Sequence, residues 1–196
     1  MLCDICLQTQ NSVHRCRRCL LRAPFFDRAI GVYEYDGPAG AAIRSAKYRY
    51  QPESIEWLCR RIQSDLPSEL FENRPDVIIP VPLHWRSRIK RRLDAPLWFG
   101  HTISATLQRP LDRGVVFRNR QTLVQAGLDD PERRRNVRGA FTVVREAPKD
   151  ILLVDDVFTT GATVNAVCQV LKRHGADRVR VVCAAYVDPS VGVEMT

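Results

Sequence analysis

The sequence has no run of about 18 apolar residues, so it offers no transmembrane helix. Its first residues, Met1-Leu2-Cys3-Asp4-Ile5-Cys6, lack the basic start and apolar stretch of a secretory signal. The expectation is a soluble, cytoplasmic protein with no membrane partner. Internal repeats and low-complexity tracts are missing too, which argues against a repeat architecture. Residues 1–22 hold little that can form a hydrophobic core. The chain as a whole, 196 residues and 45% hydrophobic, suffices for one ordinary domain and a small appendage.

Negative charge is also scarce: 22 acidic residues face 30 Lys and Arg, leaving a net charge of +8. Such an excess points to an anionic partner, either nucleic acid or a phosphorylated small molecule. A pair of solvated basic loops is a third reading, and composition does not choose among them. The charge is clustered: Arg86, Arg88, Lys90, Arg91 and Arg92 form one group, and Arg133, Arg134, Arg135 and Arg138 a second.

The seven cysteines fall into two sets. Cys59, Cys168 and Cys183 sit in apolar-periodic segments and read as small buried hydrophobes. Cys3-x-x-Cys6 and Cys16-x-x-Cys19 are two knuckles nine residues apart. Four thiolates so spaced suit tetrahedral Zn2+, which would supply the folding energy that so small a segment lacks. Disulfides are the rival, disfavoured by a cytoplasmic compartment. His14 is an alternative ligand, but four cysteines already complete a shell. Arg15, Arg17, Arg18 and Arg22 surround the second knuckle, as phosphate-backbone contacts or as plain solubility. The expected division is a zinc module at 1–22 and a larger domain at 23–196.

In the larger part, strand-like and helix-like segments alternate. Ile30 to Tyr35 reads as a strand closed by Asp36-Gly37-Pro38. Ala39, Ala42, Ile43 and Ala46 recur at helical spacing, as do Ile55, Leu58, Cys59, Ile62 and Leu66, with Pro67 as a stop. Val77-Ile78-Ile79 is a short β-branched run leading into Pro80-Val81-Pro82, a buried parallel strand and a stiff turn. Pro96 to Leu107 is expected to be helical, and Val115 to Phe117 and Phe141 to Val144 to be strands. Residues 118–139 read as one long polar loop, of the kind that is usually functional or mobile. Ile151 to Val154 is a buried strand. A helix with the stripe Val164, Val167, Cys168 and Leu171 follows, with Lys172, Arg173 and His174 near its negative end and Gly175 to stop it. Val179 to Ala185 is the last strand. This alternation predicts an α/β domain around a mostly parallel sheet.

The most informative stretch runs from Ile151 to Thr163. A buried strand delivers Asp155 and Asp156 at its carboxyl end, where open α/β sheets place ligands. Val157, Phe158, Thr159, Thr160, Gly161, Ala162 and Thr163 then form a turn that opens a helix. Backbone N–H groups at a helix start bind anions, the threonines add hydroxyl donors, and Gly161 lets a ligand come close. Acids beside an anion site repel a bare phosphate but suit a phosphorylated sugar, whose hydroxyls donate to them. They can also hold Mg2+ through water.

This stretch resembles the 5-phosphoribosyl-1-pyrophosphate signature of type I phosphoribosyltransferases, with Phe158 where an aliphatic residue is usual. Other segments resemble the ComF family of competence-associated, phosphoribosyltransferase-like proteins, which join a cysteine-pair module to that fold. The resemblance extends from Cys3 to about Val187. It implies a phosphoribosyltransferase-type sheet flanked by helices. Pro80-Val81-Pro82-Leu83-His84 and the basic run after it are similar to the family's pyrophosphate loop, implying roles for Pro82, Leu83, Arg86, Arg88 and Arg91. Arg118, Arg120, Thr122, Gln125, Leu128, Arg133, Asn136, Ala140 and Phe141 match the spacing of its flexible hood, which closes over substrate. Lys47-Tyr48-Arg49 also looks like a family segment. One departure stands out: the family's Arg-Gly-Phe-Asn-Gln is Arg91-Arg92-Leu93-Asp94-Ala95 here.

Two functions follow from the resemblance. The first is a transferase moving the ribosyl phosphate of 5-phosphoribosyl-1-pyrophosphate, with Mg2+, onto a nitrogen nucleophile. Asp155 and Asp156 would be catalytic, orienting the ribose and stabilising positive charge at C1. The second is a non-catalytic accessory of DNA uptake that binds single-stranded DNA or a helicase partner. No segment for recognising an acceptor base is readable.

Overall fold

In a computed structural model the chain is described for residues 1–9, 14–49, 51–83, 93–120 and 130–188, with the side chains of residues 130, 131, 133 and 134 excepted. Among these, four strands form a parallel sheet: β1 (Arg28–Glu34), β2 (Val77–Pro80), β5 (Asp150–Phe158) and β6 (Arg178–Tyr186), in the order β1-β6-β5-β2. Strands β3 (Val116–Arg118) and β4 (Phe141–Val143) make a separate antiparallel ribbon. Segment 110–112 extends the sheet beyond β2, where the Ile78 N–H donates to the Pro110 carbonyl and the Asp112 N–H to that of Ile78.

The runs that alternate in sequence bury both faces, because successive side chains of a strand point to opposite sides. Ile79, Ile151, Leu153, Val179, Val181 and Cys183 lie on one face. Against them packs helix α7 (Ala162–Arg173), through Val164, Val167, Cys168 and Leu171. Ile78, Leu152, Val154, Val182 and Ala184 lie on the other. Helices α2 (Pro38–Arg49), α3 (Pro52–Asp65) and α5 (Ala95–Leu107) cover that face, with the short α4 (Glu69–Glu72) beside them. Cys59, Cys168 and Cys183 are buried, as expected, and burial raises all three thiol pKa values.

Helix ends follow local chemistry. Pro52 opens the first turn of α3, where its missing N–H costs nothing. Asp94 caps α5 by accepting from the Leu97 N–H at 3.3 Å. Helix α7 ends in a Schellman arrangement: the Ala176 N–H donates to the Leu171 carbonyl and the Gly175 N–H to that of Lys172, with Gly175 at φ +103°.

Two expectations change. Strand β5 does not stop at Val154; it continues through the acids to Phe158, paired with β6 (Asp155 opposite Cys183, Phe158 opposite Tyr186). The turn proper is therefore only Thr159-Thr160-Gly161. Residues 118–139 are not loop throughout either, since helix α6 spans Asp130–Val137. Its sequence, DPERRRNV, carries no apolar stripe for a periodicity reading to detect. Arg120 holds its far end by donating to the Asn136 and Arg138 carbonyls, both at 2.9 Å.

The N-terminal cysteines lie in the same buried cluster as the α7 face of the sheet. A short helix, α1 (Arg17–Leu21), carries Cys19. The Ala29 N–H donates to the Ile5 carbonyl at 2.8 Å, and Thr9 Oγ1 to Asp188 Oδ1 at 2.5 Å. These tie the first knuckle to the sheet. No helix among the described residues is long and apolar enough to cross a membrane.

Candidate functional site

The carboxyl end of β5 brings the acids and the turn together. Neighbouring strand residues face opposite ways, so the two acids meet different partners. Asp156 pairs with Lys47 of α2, Nζ to Oδ2 at 2.5 Å, with both side chains less than a fifth exposed. Asp155 is buried at 9% exposure and accepts the Asp156 N–H at 2.9 Å. Burial, then the charge of Asp156, pushes the Asp155 carboxyl up to about 7. The Asp156 N–H, Lys47 and Arg118 of β3 pull it back. No role for Lys47 is readable from the sequence, although Lys47-Tyr48-Arg49 stands out there as a family-like segment. Its partner lies 109 positions away (156 − 47), beyond any local pattern.

The turn is built for close approach. Gly161 sits at φ +72° as the N-cap of α7, and an added Cβ there would come within 2.7 Å of the Phe158 ring. Phe158 itself is buried beneath the turn and meets the Phe26 ring edge-on, 6.0 Å between centroids. Thr160 Oγ1 accepts the Ala162 N–H at 3.3 Å. The first N–H groups of α7 have no carbonyl partner within the helix, and together with the dipole they favour an anion.

The remaining predicted residues are placed as follows. Pro82 and Leu83 are half-buried just past β2, whose end is joined to β5 by the Val81 N–H donating to the Val154 carbonyl. That brings the start of the expected pyrophosphate loop beside Asp155. Arg86, Arg88 and Arg91, and Thr122 and Gln125, lie outside the described residues. Arg133 is in α6, its side chain likewise outside them. Arg118 lies over the Phe141 ring at 5.3 Å, and Asn136 is at the end of α6. Asp94, part of the departure from the family segment, is a helix cap, a role that asparagine and aspartate fill equally. Ala95 beside it is buried.

On the far flank of the turn lies a cleft of about 490 Å3 between α1, α6 and α7. Arg18, Arg22, Arg135 and Arg138 line it, together with Phe25 and Gly161. Among the described residues no carboxylate does, and neither Asp155 nor Asp156 reaches it.

The four N-terminal cysteines can hold a metal. Their sulfurs lie within 4.8 Å of one another and all four residues are buried. The Cys6 and Cys16 sulfurs are 3.6 Å apart, close to the ~3.8 Å edge of a tetrahedron with Zn–S bonds of about 2.3 Å. Burial pushes the Cys6 thiol up to about 11 and Cys19 higher still, so without a cation beside them both keep their protons. At Cys3 the N–H groups of Cys16, Ile5 and Cys6 outweigh burial and hold the thiol at about 7. The Cys16 N–H to Cys3 Sγ distance is 3.2 Å. His14 points to solvent near Asp4 and is not among the clustered ligands.

Residues 110–193, which include β5, the turn and α7, match the phosphoribosyl transferase domain family. The DNA utilization protein YhgH of Escherichia coli O157:H7 is 33% identical over 192 residues, covering 93% of this chain and 82% of that protein. Competence protein F of Haemophilus influenzae is 28% identical, covering 89% and 79%. The chain belongs to the ComF family. Among solved structures, a purine phosphoribosyltransferase from Pyrococcus horikoshii is similar at 23% identity and a TM-score of 0.45, covering 70% of this chain and 77% of that one. This chain joins a parallel sheet, much of it within the residues that match the phosphoribosyl transferase domain, to a cluster of four cysteines near its N-terminus.

Proposed function

We propose that this ComF protein binds 5-phosphoribosyl-1-pyrophosphate at the end of β5. The observation that carries the reading is Asp156, held by Lys47 immediately ahead of a Gly161-capped helix start. The phosphate of the ligand takes the turn from Thr159 to Thr163, and its ribose hydroxyls donate to Asp156. Asp155, buried and with its carboxyl pushed up to about 7, shapes the floor and ionises more fully when a cation arrives. Pro82 and Leu83 lead to Arg86, Arg88 and Arg91, whose guanidinium groups suit the diphosphate. Asp155 and Asp156 would help hold Mg2+, which would offset the charge of the diphosphate, and Cys3, Cys6, Cys16 and Cys19 of a module at 1–22 would hold Zn2+. Transfer of the phosphoribosyl group to a nitrogen nucleophile is the reaction this arrangement supports.

Calorimetry with the sugar donor and Mg2+ tests the reading. Saturable heat, lost in Asp156→Asn, supports it; no heat with the donor overturns it. Pyrophosphate release on adding candidate bases then separates turnover from binding alone.

The arginine-lined cleft favours a second reading, an accessory role on single-stranded DNA beside a helicase. The names of the relatives, a DNA utilization protein and a competence protein, fit it. Phosphates would sit on Arg22, Arg135 and Arg138, and a base would stack on Phe25. Donor-independent binding of an oligonucleotide, steeply weakened by salt and by Arg22→Glu with Arg138→Glu, would establish it.

A further inference from the structure

Three contacts join the N-terminal cysteine segment to the turn that opens α7. Arg18, between two of the clustered cysteines, donates from Nη2 to the Thr160 carbonyl at 2.9 Å. Phe25, just past the module, donates its N–H to Asn165 Oδ1 in the first turns of α7 at 2.7 Å. Phe26 packs edge-on against Phe158, whose ring fills the space beneath Gly161.

The first contact has a geometric consequence. A trans peptide is planar, and its N–H points opposite to its C=O. With the Thr160 oxygen drawn towards Arg18, the Gly161 N–H of the same peptide is directed away from the module. A cation on the carbonyl also polarises the peptide and makes that N–H a stronger donor. Arg18 therefore sets both the direction and the strength of an anion-binding group it does not touch.

Arg18 is steady only if its own base is. Helix α1 has five residues, follows Cys16 as its N-cap and carries Cys19, so its position depends on what the cysteines hold. A segment this small owes its fold to the metal.

We propose that the cysteine module is the outer support of the phosphate turn, with Arg18 as its positioning residue, so that metal in the module and phosphosugar at the turn stabilise each other. The second half rests on the phosphoribosyl reading above; the first does not. Coupling between two sites is reciprocal, so each ligand must strengthen the other by the same factor.

Hydrogen exchange and metal release on the full-length, metal-loaded chain test the two halves separately. In Arg18→Ala the amides of residues 159–163 are expected to exchange about five- to tenfold faster, with metal content unchanged; Arg18→Lys, which keeps a donor, restores most of the protection. Ribose 5-phosphate is expected to slow metal transfer to a chelator about five- to tenfold in the parent chain and not in Arg18→Ala. Unchanged exchange in metal-loaded Arg18→Ala overturns the positioning role. Ribose 5-phosphate that binds without slowing metal release overturns the coupling. If it does not bind at all, the phosphoribosyl reading fails instead, and the exchange result still decides the support.

Discussion

Asp155 concentrates the conflict between folding and function in one side chain. Unfolded, its carboxyl ionises near pH 4; folded, burial and Asp156 hold the proton to about pH 7. Its folded pKa is raised, so ionisation of the unfolded chain opposes folding. That cost is absent below pH 4, grows between pH 4 and 7, and is constant above. Asp155→Asn keeps the oxygen that accepts the Asp156 N–H and removes the charge. It is expected to stabilise the protein by about 1–3 kcal/mol at pH 8, falling towards zero at pH 4, in urea titrations. An equal gain at both pH values would mean that the charge is not the cause. Gly161 is constrained differently. An alanine there pays about 1–2 kcal/mol for the left-handed backbone and also drives its methyl into Phe158. Gly161→Ala should cost about 2–4 kcal/mol in all, and Phe158→Val in the same chain should return only the steric part. Comparing thermal unfolding of the two single variants and the double one separates these contributions.

At the scale of elements, whatever rests on local periodicity was legible. The stripes of α2, α3 and α7 and the β-branched runs of β2, β5 and β6 announced both core faces. The expected helix from Pro96 to Leu107 is α5, starting one residue earlier. What periodicity does not encode was missed. Helix α6 buries Val137 alone among its side chains described, and is held by Arg120 from outside. Strand β5 outruns its apolar core because pairing with β6 persists where the side chains turn acidic. The partners of Asp156 and of the Thr160 carbonyl are remote in sequence and left no local signal. The altered family segment, by contrast, has a local explanation, since Asp94 supplies a cap. Asp94→Ala should therefore cost about 1 kcal/mol, whereas Asp94→Asn should be nearly neutral. Loss of stability in both variants would show that the carboxylate charge matters beyond capping.

On the scale of the whole molecule, the four N-terminal cysteines and the sheet share one hydrophobic cluster. Cys3, Cys6, Cys16 and Cys19 are buried together with Phe26, Val164 and Val167. Lys172 of α7 reaches Asp27 at 2.8 Å, and Asp27 also accepts the Val179 N–H, so the segment leading from the cysteine cluster into β1 is tied to α7 and β6. A module that hung from a flexible linker would lose its metal without disturbing the rest. Here a metal held by the four cysteines would support the α7 face, so removing it should be felt by the entire fold. Metal bound only to the native state stabilises it by about 2.7 kcal/mol when free metal is a hundredfold above its dissociation constant. For a chain of this length that corresponds to roughly 5–10 °C. Chelation is thus expected to lower the main calorimetric transition by that amount and keep it single. A main transition that stays where it was, with a small separate one appearing below it, would show that the module folds independently and lends the domain nothing.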